Sequence, residues 1–125
     1  MHRTHLLIIA ACGETATGLS LLAVPAIVLW LLLGMEQPSP ETIYAARVTG
    51  AALLGIGVGC WLGRNDQLGP AQRGLFACIL VYSALVGGLL AYGGLFLDLV
   101  GMALWPAVGA HLALVVWGIF ALRRA

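Results

Sequence analysis

Four side chains able to do chemistry stand inside long apolar runs of this chain: Glu14, Tyr82, Ser83 and His111. An ionisable group in a bilayer costs about 2.5–3.5 kcal/mol on insertion scales, so each one needs a physical reason. His111 stands about 16 Å from Leu122, the end of its run, at 1.5 Å per residue. Tyr82 reaches a similar height from Ala71, with Ser83 beside it. Glu14 lies about 12 Å past Leu6. The four are expected to form one polar layer in the inner half of a helix bundle. Two readings of the layer stand open. In one, His111 is a core histidine whose ring bonds to Tyr82 or Ser83 and locks the packing; in the other it serves a proton, a ligand or a metal. Glu14 reads likewise in two ways, as a carboxyl near the headgroups if the first turns protrude, or as a buried group that takes up a proton or cation. Arg47 and Asp98 belong to a different class. Both fall close to one edge of the membrane, where the long arginine stem can snorkel, and they are expected to be interfacial anchors, pairing with each other or with Glu41.

Several chemistries are excluded. A bis-histidine haem needs a second intramembrane histidine, and His2 and His5 lie at the chain's start. Nothing in the spacing of Ser83, His111 and Glu14 points to a catalytic triad with an oxyanion hole. No glycine-rich phosphate loop follows a strand. Cys12, Cys60 and Cys78 lack any Cys-x-x-Cys spacing and form neither a disulfide framework nor a zinc signature. The expectation is a non-enzymatic protein with no metal and no cofactor.

Composition sets the class. The 125 residues are 62% hydrophobic and 9% charged, with six arginines, no lysine and five acids. A soluble domain carries about a quarter charged residues, so a soluble fold is excluded, and no basic surface exists for nucleic acid. An integral membrane protein remains. Ile9-Ala10-Ala11-Cys12 has the look of a lipoprotein cleavage box, but the apolar run Leu6 to Ala11 is shorter than the roughly 7–15 residues of a secretory core. The N-terminus is therefore expected to be mature.

Four runs, 6–33, 43–62, 71–96 and 99–122, reach the roughly 20 residues a helix needs to cross a bilayer. Membrane strands are disfavoured, because each run is too long and none alternates. Gln37-Pro38-Ser39-Pro40-Glu41 and Gly63-Arg64-Asn65-Asp66-Gln67-Leu68-Gly69-Pro70 break the first and second connections, and the third turns tightly around Leu97-Asp98. The reading is an all-α integral membrane four-helix bundle with antiparallel up-down topology, forming a single domain. Arg3, Arg64, Arg73, Arg123 and Arg124 lie at the ends and the middle connection, while the other two connections hold none. By the positive-inside rule both termini are cytoplasmic, in a bacterial inner membrane. Pro25 and Pro106 are expected to kink the first and fourth spans. Trp30, Trp61, Trp105 and Trp117 read mostly as interface anchors.

Lipid gives helices no hydrophobic reason to pair, so close backbone approach at small residues must do so. Ala51, Gly55, Gly59 and Gly63 form one stripe in the second span; Ser83, Gly87 and Ala91 form another in the third, and Gly109 and Ala113 a shorter one in the fourth. They are expected to pack the bundle internally or to seat a second copy.

The stretch Ala45-Ala46-Arg47-Val48-Thr49-Gly50-Ala51-Ala52-Leu53-Leu54-Gly55-Ile56-Gly57, with Trp105-Pro106-Ala107-Val108 and His111, resembles the small bacterial four-span proteins related to DoxX. That resemblance implies an accessory subunit of a membrane complex, some members serving membrane oxidoreductases, and no catalytic residues. Four spans with one acid early in the first also resemble the small multidrug resistance transporters, whose essential glutamate would carry over to Glu14. This second likeness implies exchange of cations for protons by a dimer. The first expectation is a non-enzymatic accessory or interaction subunit with a protein partner or a second copy. The alternatives are a proton-coupled carrier of a small cation or lipophilic compound using Glu14 and His111, and a quinone or pigment site near Trp105, Tyr82 and His111.

Overall fold

Proline starts helices in this chain more often than it stops them. The computed structural model describes residues 2–66 and 69–123; Gln67 and Leu68 of the second connection and Arg124 of the arginine bias lie outside the described residues. Five helices follow in order: α1 (His2–Ala23), α2 (Pro25–Leu33), α3 (Pro40–Gly63), α4 (Pro70–Phe96) and α5 (Leu104–Arg123). Pro25, Pro40 and Pro70 each occupy the first turn of a helix, where the missing amide hydrogen has no intrahelical partner to lose. Ser39 caps α3, its hydroxyl accepting from the Thr42 amide at 3.3 Å, and Glu41 stands in the first turn, where an acid suits the helix dipole.

Two expectations at the prolines are corrected. The run 6–33 is two helices, not one kinked span. Pro25 forces Val24 out of the helical region, to φ −134° and ψ 55°. The Val24 amide still bonds to the Ser20 carbonyl at 2.8 Å, and α2 restarts on the Val24 carbonyl. At the other end, residues 99–103 are not helical, and Pro106 lies in the first turn of α5, so no kink arises there. The third connection is longer than a tight turn. Asp98 takes a left-handed φ of 55°, the amides of Leu97 and Leu99 both return to the Gly93 carbonyl, and the Ala103 amide donates to Leu31 at 2.8 Å, tying the start of α5 to the end of α2.

Four helices, Arg3–Ala23, Pro40–Gly63, Pro70–Phe96 and Leu104–Ala121, are long and apolar enough to cross a membrane. At about 13 Å, α2 is too short to do so. Large apolar side chains such as Leu62, Leu85, Leu89 and Leu95 are exposed around the outside, as a bilayer-facing surface requires. The chain is a multi-pass membrane protein, all-helical across the described residues.

The helices pack as two pairs. In the first, α1 lies against α3 with Gly18 facing Gly50: a Cβ on either would come within 2.7 Å of the other's carbonyl oxygen. Further along, Gly57 faces Thr15 and Ala11, so the two helices run in opposite senses. In the second pair α4 meets α5, with Gly87 against the His111 Cβ, Gly118 against Leu80, and Gly94 against Leu104 and Trp105. Contact between the pairs is far sparser than contact within them. The stripe expected to pack α3 is corrected accordingly. Ala51 is exposed and Gly55 faces open space, while Gly59 and Gly63 face Leu75 of α4. Glycine occurs on several faces of α3, and the face that matters is the one whose partner, Gly18, also lacks a side chain.

Apolar side chains close the two ends of the molecule. One cluster gathers Leu6, Leu7, Ala11, Cys60, Phe76 and Ile79, and the other Leu21, Leu29, Ala46 and Leu53. Glu14 lies in α1 between the residues contributed to each.

Candidate functional site

The loose seam between the two helix pairs is a cleft. On α1, Ala10, Gly13, Glu14 and Thr17 share one face through their three- and four-residue spacing. Opposite them α5 presents Ala107, Ala110, His111 and Trp117, and Tyr82 enters from α4. Gly13, Ala107 and Ala110 leave little to fill the gap, and a hollow of about 440 Å³ results. Its wall includes the exposed Ile9 and Ala113, so it opens sideways where lipid would lie. A second hollow, about 450 Å³, adjoins it toward α2 and shares Thr17, Tyr82, Ala107 and His111.

The structure brings together three of the four residues expected in the polar layer. Glu14 is only 6% exposed. The Tyr82 hydroxyl donates to its Oε2 at 3.0 Å. His111 meets the Tyr82 ring edge-on, centroids 5.6 Å apart and planes at 74°. The hydrogen bond expected from the His111 ring to Tyr82 or Ser83 is not formed: His111 meets the tyrosine through its ring, not its hydroxyl, and His111 Nδ1 is buried without a partner. Ser83 of α4 is fully buried, its Oγ also unpartnered, and it does not line either hollow. No Ser–His contact of a triad exists among the described residues.

The two hollows differ in chemistry. The first holds the Glu14 carboxyl. In the second, the hydroxyls of Ser20 and Thr49 donate to their own helices, to the Ala16 and Ala45 carbonyls at 2.8 and 2.9 Å. The rest of that wall is aliphatic apart from Thr17, Tyr82 and His111, including Leu31, Leu53 and Leu90. The cleft thus has an acidic end and an apolar end, with the Tyr82–His111 pair between them.

Other expected residues lie elsewhere. Arg47 and Asp98 are exposed, and no ion pair joins them to each other or to Glu41 among the described residues. Cys60 is buried and Cys12 and Cys78 are exposed, all with free thiols. No three His, Cys, Asp or Glu side chains converge as metal ligands among the described residues. Sequence reasoning missed Thr17 and Trp117. Thr17 is three residues from Glu14 and so on its face, a signal available in advance; Trp117, read as an anchor, instead walls the cleft. No family model, no curated protein and no solved structure matches this chain.

Proposed function

We propose that this chain is a non-enzymatic membrane carrier that binds a small amphipathic cation in the cleft and exchanges it for a proton on Glu14. One observation carries the reading: a carboxyl buried in a membrane-spanning helix faces an open cleft, held by a tyrosine hydroxyl and by no cationic side chain among the described residues. A buried acid without a positive partner is stable when protonated, and a cation that enters the cleft supplies the missing charge. The adjoining apolar hollow receives the rest of the molecule. His111 and Tyr82 form the waist it must pass. The sparse contact between the helix pairs supports relative movement of one pair against the other, the motion a carrier needs.

The test uses purified protein and tetraphenylphosphonium. Binding should release about one proton per cation, and Glu14→Gln should abolish that release and weaken binding about ten- to a hundredfold, the range for losing a charge-assisted contact. Unchanged affinity and flux in proteoliposomes carrying Glu14→Gln would end the reading.

A second reading, an accessory subunit, draws on one feature: the outer face of α3, with Ala51 exposed and open space over Gly55, which suits a close-approaching helix of a partner or second copy. Purification in mild detergent would then bring down a stoichiometric partner.

A further inference from the structure

Apolar packing shuts the cleft toward both ends of the molecule. At one end, Leu114 and Trp117 of its wall pack on a cluster in which Leu6, Leu7 and Ile79 have no exposed surface. At the other, Leu21 and Leu53 of the second hollow belong to the opposite cluster, and Val28 of α2 packs against it. The flank is different. Every exposed residue that lines the first hollow, namely Ile9, Gly13, Thr17, Ala110 and Ala113, lies on α1 or α5. A Cβ on Gly13 would meet nothing within 4 Å, and α1 touches α5 far less than it touches α3. Glu14 stands eleven residues past Arg3 in a span that runs to Ala23. That is about 17 Å in, near the middle of a hydrocarbon layer about 30 Å thick. The gap beside it faces lipid chains.

We propose that the gap between α1 and α5 is the portal through which the cleft exchanges its ligand with the bilayer, and that Gly13 and Ala113 set its width. The proposal rests on the carrier reading and adds a route to it. The route narrows the ligand class. A cation that arrives through hydrocarbon must shed its water first, and for a compact, strongly hydrated ion that cost is prohibitive. A cation whose charge is shielded by apolar groups, with no N–H left unpaired, loses far less. Just inside the portal it meets the Glu14 carboxyl, one residue beyond Gly13 on the same helix. The smallest side chains of the lining therefore stand at the mouth, where room for passage is needed, and the polar groups stand behind them.

A route changes rates and leaves the equilibrium alone, so the experiment is kinetic. Tetraphenylphosphonium is mixed with the protein in lipid nanodiscs by stopped flow, with tryptophan fluorescence as the signal, since Trp117 walls the cleft. Gly13→Leu and Ala113→Leu should each slow association and release together by about tenfold, with affinity changed by less than about threefold. The two positions are on different helices, so a folding defect in one variant leaves the other to decide. Gly109→Leu, at an exposed α5 position that faces open space and lines neither hollow, should keep wild-type rates. Wild-type rates in the portal variants, or equal slowing by Gly109→Leu, would overturn the portal. So would slowing by Thr49→Leu, at the exposed α3 wall of the second hollow, in place of the portal variants. A fall in affinity carried by release alone would make Gly13 and Ala113 part of the binding wall and overturn it too. Glu14→Gln keeps the two readings apart: it acts on affinity and proton release, which the portal variants leave in place.

Discussion

Tyr82 makes the only side-chain hydrogen bond to the Glu14 carboxyl among the described residues, whereas Ser83 Oγ and His111 Nδ1 have none. Removing the Tyr82 hydroxyl leaves a buried carboxyl with no donor, which costs about 1–3 kcal/mol. Tyr82→Phe should therefore lower the unfolding free energy by that amount. Added to Glu14→Leu, which removes the group that needs the bond, it should cost far less. A double-mutant cycle in mixed micelles measures the difference, and additive losses would show the bond to be absent. Ser83 presents the opposite case. Its Oγ is fully buried with no partner, so Ser83→Ala removes an unsatisfied polar atom and should leave stability unchanged or raise it by up to about 1–3 kcal/mol; a loss of that size would reveal a hidden acceptor. Glu14, Tyr82 and His111 were legible in the sequence because polar residues stand out against apolar runs and share a height. Their pairing was not, because it depends on how far each helix is rotated, and height along an axis says nothing about rotation.

Among the elements, glycine position separates contacts that hold the fold from faces left free. Gly50 of α3 meets Gly18 of α1 backbone to backbone, while Gly55 on the same helix meets nothing. A side chain at Gly50 must push two helices apart, and overpacking of this kind costs about 1–3 kcal/mol or more. Gly50→Leu should lower the unfolding temperature strongly, with Gly55→Leu close to neutral in the same assay. If a partner helix seats on the outer face of α3, Gly55→Leu should release it while the fold survives, visible as loss of the larger species in size-exclusion chromatography. The four long helices could be read from run length and from the Pro-rich breaks. The division of 6–33 at Val24 could not be read as firmly, because a proline inside an apolar run kinks some helices and ends others, and here the Leu31 carbonyl's bond to Ala103 holds α2 in its own place. The stripe Ala51–Gly55 was as good a packing candidate in the sequence as Gly50–Gly57; only the position of Gly18 decides between them.

For the molecule as a whole, the segregation of charge carries a claim about its placement in the bilayer. Arg3 and Arg73 line one hollow, and the Gln72 amide donates to the Arg64 carbonyl at 3.0 Å, so these three arginines gather at one end. Glu36 and Asp98 lie in the connections of the opposite end, and Glu41 in the first turn of α3 there. Four crossings by the long helices, with α2 too short to cross, would bring both ends of the chain to one side, and that is the expectation to test. The positive-inside rule predicts that the arginine-rich end faces the cytoplasm, since basic residues in short connections resist translocation. Single cysteines introduced as Gln37→Cys and Asn65→Cys, in a chain whose Cys12, Cys60 and Cys78 have been replaced, report this directly with a membrane-impermeant maleimide. Gln37→Cys should label in intact cells and Asn65→Cys only after permeabilisation. The reverse pattern would invert the orientation. Equal labelling of both in intact cells would mean that copies insert both ways, and a fixed orientation would have to be given up.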